Sequence, residues 1–283
     1  MPGTAAARSD ARSDRKVPVG VDPTRASIAR VYDAFLNGKD NYEIDREVLR
    51  GVQKAAPEAQ ELAFENRGFL IRACRFLATQ TGITQFLDCG SGLPTAENIH
   101  QVVQRVNPDA TVVYIDNDPV VLAHGRALLE ENEQTHFISA DIFQPQEIME
   151  SEEIRRHIDF SQPIAFLQLG TLHHYDGPRE RPAEMMREYL EYLPSGSYVA
   201  ISHFLDPENE HSEVARRMEH MFLHSPMGSG TFRTRAELEE LFDGLEMVPP
   251  GLELCAKWWP DGPQLKPLNQ VQYCIAGGIG RKP

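Results

Sequence analysis

An acid and two closely spaced glycines form the segment Asp88-Cys-Gly-Ser-Gly92. The apolar residues before it predict a short buried strand, and apolar residues at helical spacing from Ile99 onwards predict a following helix. Glycine lets a backbone turn sharply and approach a ligand where a Cβ would clash. The segment is therefore typical of a nucleotide-binding loop, although an ordinary strand-to-helix turn has the same composition.

Further acids follow the next two predicted strands. Asp116 lies 26 residues after Gly90 (116 − 90), about where a doubly wound fold places the acid that binds ribose hydroxyls. Asp118 precedes Pro119 and fits the simpler role of a helix cap. Asp141-Ile142 follow the third strand, where an adenine would lie, but Asp141 could also cap a turn.

The spacing distinguishes between cofactors. A dinucleotide site prefers a third glycine at the start of the helix, and Pro94 stands near that position here. The carboxylate of Asp88 would also repel a phosphate and favours a cationic head group. S-adenosylmethionine offers an ammonium for Asp88, a ribose for Asp116 and an adenine for Asp141-Ile142.

Histidines follow the fourth and fifth predicted strands. The fourth ends in Gln168-Leu-Gly-Thr-Leu-His-His-Tyr175, and His203 ends the fifth. An imidazole with an ordinary pKa near 6.5 suits a general base, if the methyl acceptor must lose a proton. We favour His173 over His203 as this base, and expect at least one of the pair His173 and His174 to be structural.

Alternating strands and helices position these residues. Five apolar runs separated by helical segments predict a doubly wound α/β sheet, and they are Gln85–Cys89, Thr111–Asp116, Thr135–Ser139, Pro163–Leu169 and Ser197–His203. Gly251–Trp258 and Asn269–Ala276 predict an antiparallel hairpin at the sheet edge, because their connection is too short for a crossover helix. Residues 83–283 should form this domain.

The residues before the sheet predict a different unit. Residues 1–20 are small and polar and predict a disordered tail, whereas residues 21–82 have helical spacing and predict a helical cap. A polar segment follows the first helix and is either a solvated loop or a lid over the site. The predicted lid residues are Tyr32, Asn37, Lys39, Asn41 and Tyr42.

Charge and composition exclude several classes of partner. The chain has 283 residues and a formal charge of −14, so nucleic acid and anionic membrane are disfavoured. Four scattered cysteines predict neither a zinc site nor a disulfide framework. We expect no metal, a cytoplasmic location and a small-molecule partner, and the sequence does not determine the oligomeric state.

The chain resembles an actinobacterial S-adenosyl methyltransferase family, formerly a domain of unknown function. The resemblance covers about residue 22 to the end and is carried by Val31–Tyr42, Phe86–Thr95, Val113–His124, Leu172–His174 and Phe242–Glu246. It implies a class I methyltransferase fold, a Rossmann-like seven-stranded sheet with the last strand antiparallel. It also implies that Asp88, Gly90 and Gly92 hold the methionine part, Asp116 the ribose, and Asp141 and Ile142 the adenine.

Ser91, Asn117 and Gln168 complete the predicted cofactor-binding residues. The resemblance implies transfer of a methyl group from S-adenosylmethionine to an unidentified acceptor, and the charge favours a small molecule. One alternative is a regulatory protein that binds S-adenosylmethionine or S-adenosylhomocysteine without methyl transfer. A less favoured alternative is an NAD-type oxidoreductase, since the third glycine is missing.

Overall fold

A mixed β-sheet runs through the protein, whose computed structural model describes residues 21–94, 97–128 and 132–283. The predicted tail, residues 1–20, and Thr95 of the glycine-containing motif lie outside the described residues. The strands are β1 Gln85–Cys89, β2 Thr111–Asp116, β3 Thr135–Ser139, β4 Ala165–Leu169, β5 Tyr198–Phe204, β6 Glu246–Met247, β7 Glu253–Leu254 and β8 Ile275–Arg281.

The strand order is β3-β2-β1-β4-β5-β8-β6, and β7 also pairs with β8. Strands β1 to β5 are parallel, whereas β8 is antiparallel to β5, β6 and β7. The predicted doubly wound sheet with an antiparallel last strand is thus confirmed. Since parallel strands end at the same edge, the residues that follow β1 to β5 share one rim of the sheet.

Helices cover both faces of the sheet. They are α1 Ile28–Phe35, α2 Glu43–Ala55, α3 Glu61–Gln80, α4 Ile99–Gln104, α5 Pro119–Leu128, α6 Pro145–Met149, α7 Glu152–Arg155, α8 Arg181–Tyr192, α9 Ser212–Leu223 and α10 Arg235–Glu240. Short 3₁₀ turns lie at Leu172–His174, Cys255–Lys257 and Val271–Cys274.

Two apolar cores result from the alternation of side chains along each strand. Phe86 and Val112 pack into the core that includes the cap helices. Their chain neighbours Leu87 and Val113 pack into the opposite core. Because β1 is buried along its whole length on both faces, it lies at the centre of the molecule and holds the following loop rigidly.

The cap consists of α1, α2 and α3. Ser27 caps α1 by accepting a hydrogen bond from the Arg30 N–H at 3.3 Å, and the chain leaves α1 through Asn37, whose φ is +60°. The long helix α3 packs on β4, β5 and β8. It therefore carries its side chains directly over the rim of the sheet.

The C-terminal region differs from the sequence prediction in detail. Glu253 pairs with Gly277 in the expected antiparallel sense, but the second strand begins only at Ile275. The Asn269 side chain accepts hydrogen bonds from the N–H groups of Val271 and Gln272 and starts a 3₁₀ turn instead. In addition, β8 lies inside the sheet, between β5 and β6. Strand β6 was not predicted from the sequence.

None of the helices in the described ranges combines the length and apolarity needed to cross a bilayer.

Candidate functional site

Residues 88–92, here called the glycine loop, follow β1 and are anchored to β2. The N–H groups of Gly90 and Ser91 both donate to the Ile115 carbonyl, at 2.8 and 3.1 Å. Gly90 has φ +84°, and a Cβ there would lie 2.5 Å from the Thr171 methyl carbon. Gly92 has φ +64°, and a Cβ there would meet nothing within 4 Å. Gly90 thus permits close packing, whereas Gly92 borders open space.

Asp116 joins the glycine loop to the end of β2. Its two carboxylate oxygens accept from the N–H groups of Gly92 and Asp118, each at 2.9 Å. Burial raises its pKa to about 6, against the lowering effect of these hydrogen bonds. Asp118 caps α5 by accepting from the Val120 N–H at 2.7 Å, and the exposed Asn117 lies between the two acids.

Asp88 and Arg67 place opposite charges beside the glycine loop. Asp88 is 4% exposed, and burial raises its pKa to about 7 while the positive charge of Arg67 opposes the shift. Arg67 lies on α3, and its guanidinium donates to the Glu97 carbonyl. The pair suits a zwitterion, with an ammonium at Asp88 and a carboxylate at Arg67. Arg67 was not predicted from the sequence, because it is one of several charged residues in α3 and has no distinctive local pattern.

The residues after β3 and β4 reach the same loop. The Asp141 carboxylate accepts from the Phe143 N–H at 3.0 Å and holds a turn, and the side chain of Ile142 lies 3.3 Å from the Cβ position of Gly90. Gln168 is fully buried, and its Oε1 accepts from the Thr171 hydroxyl at 2.6 Å. Its Nε2 has no hydrogen-bond partner.

The three histidines differ in how their nitrogens are used. His203 donates from Nδ1 to the Phe204 carbonyl at 2.7 Å, and its Nε2 accepts from Arg233 at 2.9 Å, so both nitrogens have partners. His174 Nδ1 contacts the Ser229 hydroxyl at 2.9 Å. His173 is 2% exposed, stacks on Phe204 with ring centroids 3.7 Å apart, and has a Nδ1 without a hydrogen-bond partner.

Burial controls the protonation of all three. It lowers the pKa of His173 and of His203 well below the usual range, and lowers that of His174 to about 3. All three rings are therefore neutral near pH 7.

A cavity of about 40 Å³ lies between the cap and the turn after β4; we call it the cap cavity. Apolar and aromatic side chains form most of its wall, and its polar lining groups belong to Tyr32, Asn66, His173 and His174. Trp258 and Phe232 are core residues outside this lining, and Trp259 is 44% exposed. The aromatic rings that line it are Phe35, Phe204 and Phe222.

Asn66 connects the cap to the sheet across this cavity. Its Oδ1 accepts from the Ser202 hydroxyl, and its Nδ2 donates to the Tyr32 hydroxyl at 3.1 Å. Tyr32 in turn donates to the Ala63 carbonyl at 3.3 Å. Gly170 has φ +76°, and a Cβ there would lie 2.7 Å from Asn66 Nδ2. Glycine at this position therefore leaves the space that the Asn66 side chain occupies and adopts the positive φ without strain.

The other predicted lid residues hold residues 37–42, the cap loop, in place. Asn37 accepts from Gln60 Nε2 at 2.9 Å, and Asn41 Nδ2 donates to the Asp33 carboxylate at 2.7 Å. Tyr42 lies under the Arg30 guanidinium, 5.1 Å from it, and Lys39 is exposed. Of the predicted lid residues, only Tyr32 lines the cap cavity.

The cap loop also contacts α5, the helix that follows β2. Asp40 Oδ1 lies 3.8 Å from Nε2 of His124 on α5. The cap therefore extends as far as the helix that follows β2, beside the end of that strand.

Comparison with known proteins shows the family of the chain. Residues 14–283 match the family described as S-adenosyl methyltransferase. The chain belongs to this family. A solved protein from Thermobifida fusca YX, provisionally described as a methyltransferase, is similar at 41% identity with a TM-score of 0.87, over 94% of this chain and 98% of its own. Among curated proteins, no relative of the chain was found.

A second S-adenosyl methyltransferase relative extends the comparison. A DUF574 family protein from Streptomyces avermitilis MA-4680 is 35% identical, with a TM-score of 0.84 over 92% of this chain and 98% of its own. The resemblance seen in the sequence is thus confirmed, and the cofactor of this methyltransferase is S-adenosylmethionine. The residues fit it, because the open space at Gly92 and the opposed charges of Asp88 and Arg67 suit its aminoacyl group.

Proposed function

We propose that this methyltransferase moves a methyl group from S-adenosylmethionine to a small-molecule acceptor bound in the cap cavity. The supporting observation is that the turn after β4 borders both the glycine loop and the cap cavity. Thr171 packs against Gly90 of the glycine loop, and Gly170 and His173 line the cap cavity. A group held at the glycine loop would therefore lie next to a molecule in the cavity.

The geometry of the strand ends supports the proposed donor side of the site. Asp88 would receive the ammonium and Arg67 the carboxylate, while Gly92 leaves room for the chain between them. Asp116 keeps free lone pairs for ribose hydroxyls beside its two backbone contacts. The Asp141–Ile142 turn would border the adenine, with Ser91, Asn117 and Gln168 nearby in the same rim.

The acceptor side requires positioning more than acid–base chemistry. The sulfonium of the cofactor supplies a methyl group that is already activated for displacement. Holding the nucleophile in line can contribute about 7–11 kcal/mol to catalysis. Of the three histidines, His173 is the best placed to accept a proton, since its Nδ1 has no partner and the ring lines the cavity.

The net charge of the protein and the cavity itself also favour a small acceptor. The formal charge of −14 opposes binding of nucleic acid, and the apolar cavity of about 40 Å³ suits a small molecule. All four cysteines are buried free thiols, in keeping with the cytoplasmic location predicted from the sequence.

Calorimetry with S-adenosylhomocysteine and NAD tests the donor site. We expect wild type to bind S-adenosylhomocysteine and not NAD, and Asp116→Ala to bind it at least about tenfold more weakly. Asp109→Ala is the matched control, because Asp109 is an exposed acid just before β2, at its opposite end. Binding of NAD alone would refute the assignment.

Turnover separates an enzyme from a regulatory binder. Incubation of the protein with S-adenosylmethionine and a small-molecule fraction of a cell extract should produce S-adenosylhomocysteine above background. The Asp116→Ala variant should produce about tenfold less when S-adenosylmethionine is below saturation. Binding with no turnover in any fraction would favour the regulatory alternative.

A further inference from the structure

The polar and apolar linings of the cap cavity point to one class of acceptor. Building on the proposed function, we propose that the acceptor is an uncharged aromatic compound that is methylated on a ring hydroxyl. The proposal rests on the composition of the cavity wall, on its near-parallel rings, and on one buried nitrogen that lacks a partner.

The cavity wall excludes charged acceptors. Among the described residues that line it there is no Asp, Glu, Lys or Arg. Its histidines provide no positive charge either, since burial lowers the pKa of His174 to about 3 and that of His173 well below the usual range. An ion placed here would lose its hydration without gaining a counter-charge.

The ring planes favour a flat molecule. Phe35 and Phe222 are 28° from parallel with centroids 5.9 Å apart, and Phe204 and Phe222 are 17° from parallel at 5.5 Å. The His173 ring continues this series, 15° from parallel to Phe204. Offset stacking of aromatic rings is favourable in such an arrangement, so a planar body packs well against this wall.

The hydroxyl is inferred from His173. Its Nδ1 is buried and lacks a hydrogen-bond partner, which costs stability unless a ligand supplies one. A hydroxyl both donates and accepts, so it satisfies this nitrogen in either tautomer. Tyr32 and Asn66 line the same cavity, and their hydrogen-bonded side chains offer polar groups to the second side of the same oxygen.

The transfer is balanced for such an acceptor. A bond forms between the hydroxyl oxygen and the methyl carbon, and the bond between that carbon and sulfur breaks, so the sulfonium becomes a neutral thioether. The hydroxyl proton passes to His173 Nδ1 and then to solvent. The products are a methyl aryl ether, S-adenosylhomocysteine and one proton.

The size of the cavity assigns a role to α1. The volume of about 40 Å³ holds roughly one water molecule, whereas a benzene ring occupies a cavity of about 150 Å³. Helix α1 supplies Ile28, Val31, Tyr32 and Phe35 to the wall, and Ile28 is 41% exposed at its start. Acceptor binding therefore requires α1 to move outward against the Tyr32–Asn66 hydrogen bond.

Ligand-observed NMR titrations at pH 7 test the proposal with four ring compounds of similar size. The probes are phenol, toluene, benzoate and benzylamine, each added to protein saturated with S-adenosylhomocysteine. We expect phenol to bind about tenfold more tightly than toluene, because its hydroxyl adds one buried hydrogen bond. The two ions should show no saturable binding.

Variants then assign the preference to His173. His173→Phe keeps a ring against Phe204 and should reduce the phenol-to-toluene ratio to about one, and His173→Asn provides a second variant if the first does not fold. His224→Phe changes an exposed histidine at the C-terminal end of α9 and should leave the ratio unchanged.

Equal binding of benzoate or benzylamine, equal binding of toluene and phenol, or no binding of any probe to the loaded protein would each overturn the proposal. Failure of S-adenosylhomocysteine itself to bind would instead refute the proposed donor site.

Discussion

Gly90 and Gly92 have the same backbone conformation and different surroundings. Both have positive φ, at +84° and +64°, which costs any other residue about 1 kcal/mol. Beyond that, a Cβ at Gly90 would collide with Thr171, whereas a Cβ at Gly92 would project into open space. Gly90 is therefore needed by the fold, whereas the requirement for Gly92 follows from the proposed cofactor site.

Two alanine variants separate these roles. Gly90→Ala should lower the free energy of unfolding by about 3 kcal/mol, from strain plus overpacking. Gly92→Ala should lower it by only about 1 kcal/mol but weaken S-adenosylhomocysteine binding more than about tenfold, because its Cβ occupies the ligand side of the loop. Urea denaturation and calorimetry on both proteins check this. Unchanged affinity in Gly92→Ala would place the cofactor elsewhere.

Asp88 should make cofactor binding depend on pH. Burial raises its pKa to about 7, so the empty site holds a largely neutral carboxyl at pH 6 and a largely ionised one at pH 8. An ammonium binds the ionised form, so we expect S-adenosylhomocysteine affinity to fall about tenfold from pH 8 to pH 6. Calorimetry in two buffers of different ionisation enthalpy should also detect proton release near pH 7.

Asp88→Asn is the variant for this effect, since it removes the titrating group. Its affinity should be lower and nearly independent of pH, apart from a smaller effect of Asp116, whose pKa is about 6. Asp109→Asn, at an exposed acid, should retain the wild-type profile. A flat profile in wild type would contradict the role given to Asp88.

At the scale of elements, one buried ion pair joins α1 to α2. The Asp45 carboxylate accepts from Arg30 Nε at 2.9 Å, from the Tyr42 N–H at 2.8 Å and from the Ser27 N–H at 3.1 Å. Arg30 is 3% exposed and Asp45 fully buried. The same carboxylate thus fixes the start of both helices and the end of the cap loop.

Asp45→Asn should therefore destabilise the cap strongly. It leaves the Arg30 charge buried without a counter-ion, which costs about 3–5 kcal/mol. Urea denaturation measures the loss, and hydrogen exchange should show it concentrated in α1 and α2. Glu43→Gln is the matched control on the same helix, because Glu43 forms exposed pairs with Arg46 and Arg50 worth under about 1 kcal/mol. Equal effects of the two changes would refute this account.

The elements that the sequence predicted well are those with local signals. Strands β1, β2 and β3 have the predicted bounds, because each is a short apolar run flanked by polar turns. The 3₁₀ turn at Val271–Cys274 was missed, since it depends on capping by Asn269. Strand β6 was missed because it is two exposed residues long and pairs only through β8.

The residues of the site also divide into those with a local sequence signal and those without one. Asp88, Gly90 and Asp116 follow strand ends in the sequence, and their place at one rim was predictable from the parallel sheet. Arg67 and Asn66 lie on α3, and what brings them there is packing of α3 over β4 and β5. No local pattern encodes that packing, and the absence of a side chain at Gly170 matters only once α3 is in place.

At the scale of the whole molecule, the burial of three histidines beside the cap cavity should make the stability of the protein fall at acid pH. His173, His174 and His203 are kept neutral by burial, which lowers each pKa. In the unfolded chain each imidazole takes up a proton near pH 6.5. Below that pH the unfolded state binds more protons, so their contribution to stability is present above pH 6.5 and is lost as pH falls towards the folded values.

The carboxyl groups of Asp88 and Asp116 act in the opposite direction. Their folded pKa values are about 7 and about 6, so their contribution to stability is present below the unfolded value of about 4 and decreases as pH rises from there to the folded values. A comparison of variants isolates the histidine effect. Each buried histidine should cost on the order of 1 kcal/mol per pH unit below about pH 6.

His173→Phe should therefore lose less stability than wild type between pH 7 and pH 5, by about 2 kcal/mol. The phenylalanine retains the stack on Phe204 and removes a group that must stay neutral in the fold. Urea denaturation at half-unit pH steps measures the difference, and His224→Phe, at an exposed position, should follow the wild-type curve. Parallel curves for His173→Phe and wild type would mean that His173 takes up a proton as readily in the folded protein as in the unfolded chain, and would contradict the buried imidazole on which the proposed hydroxyl acceptor depends.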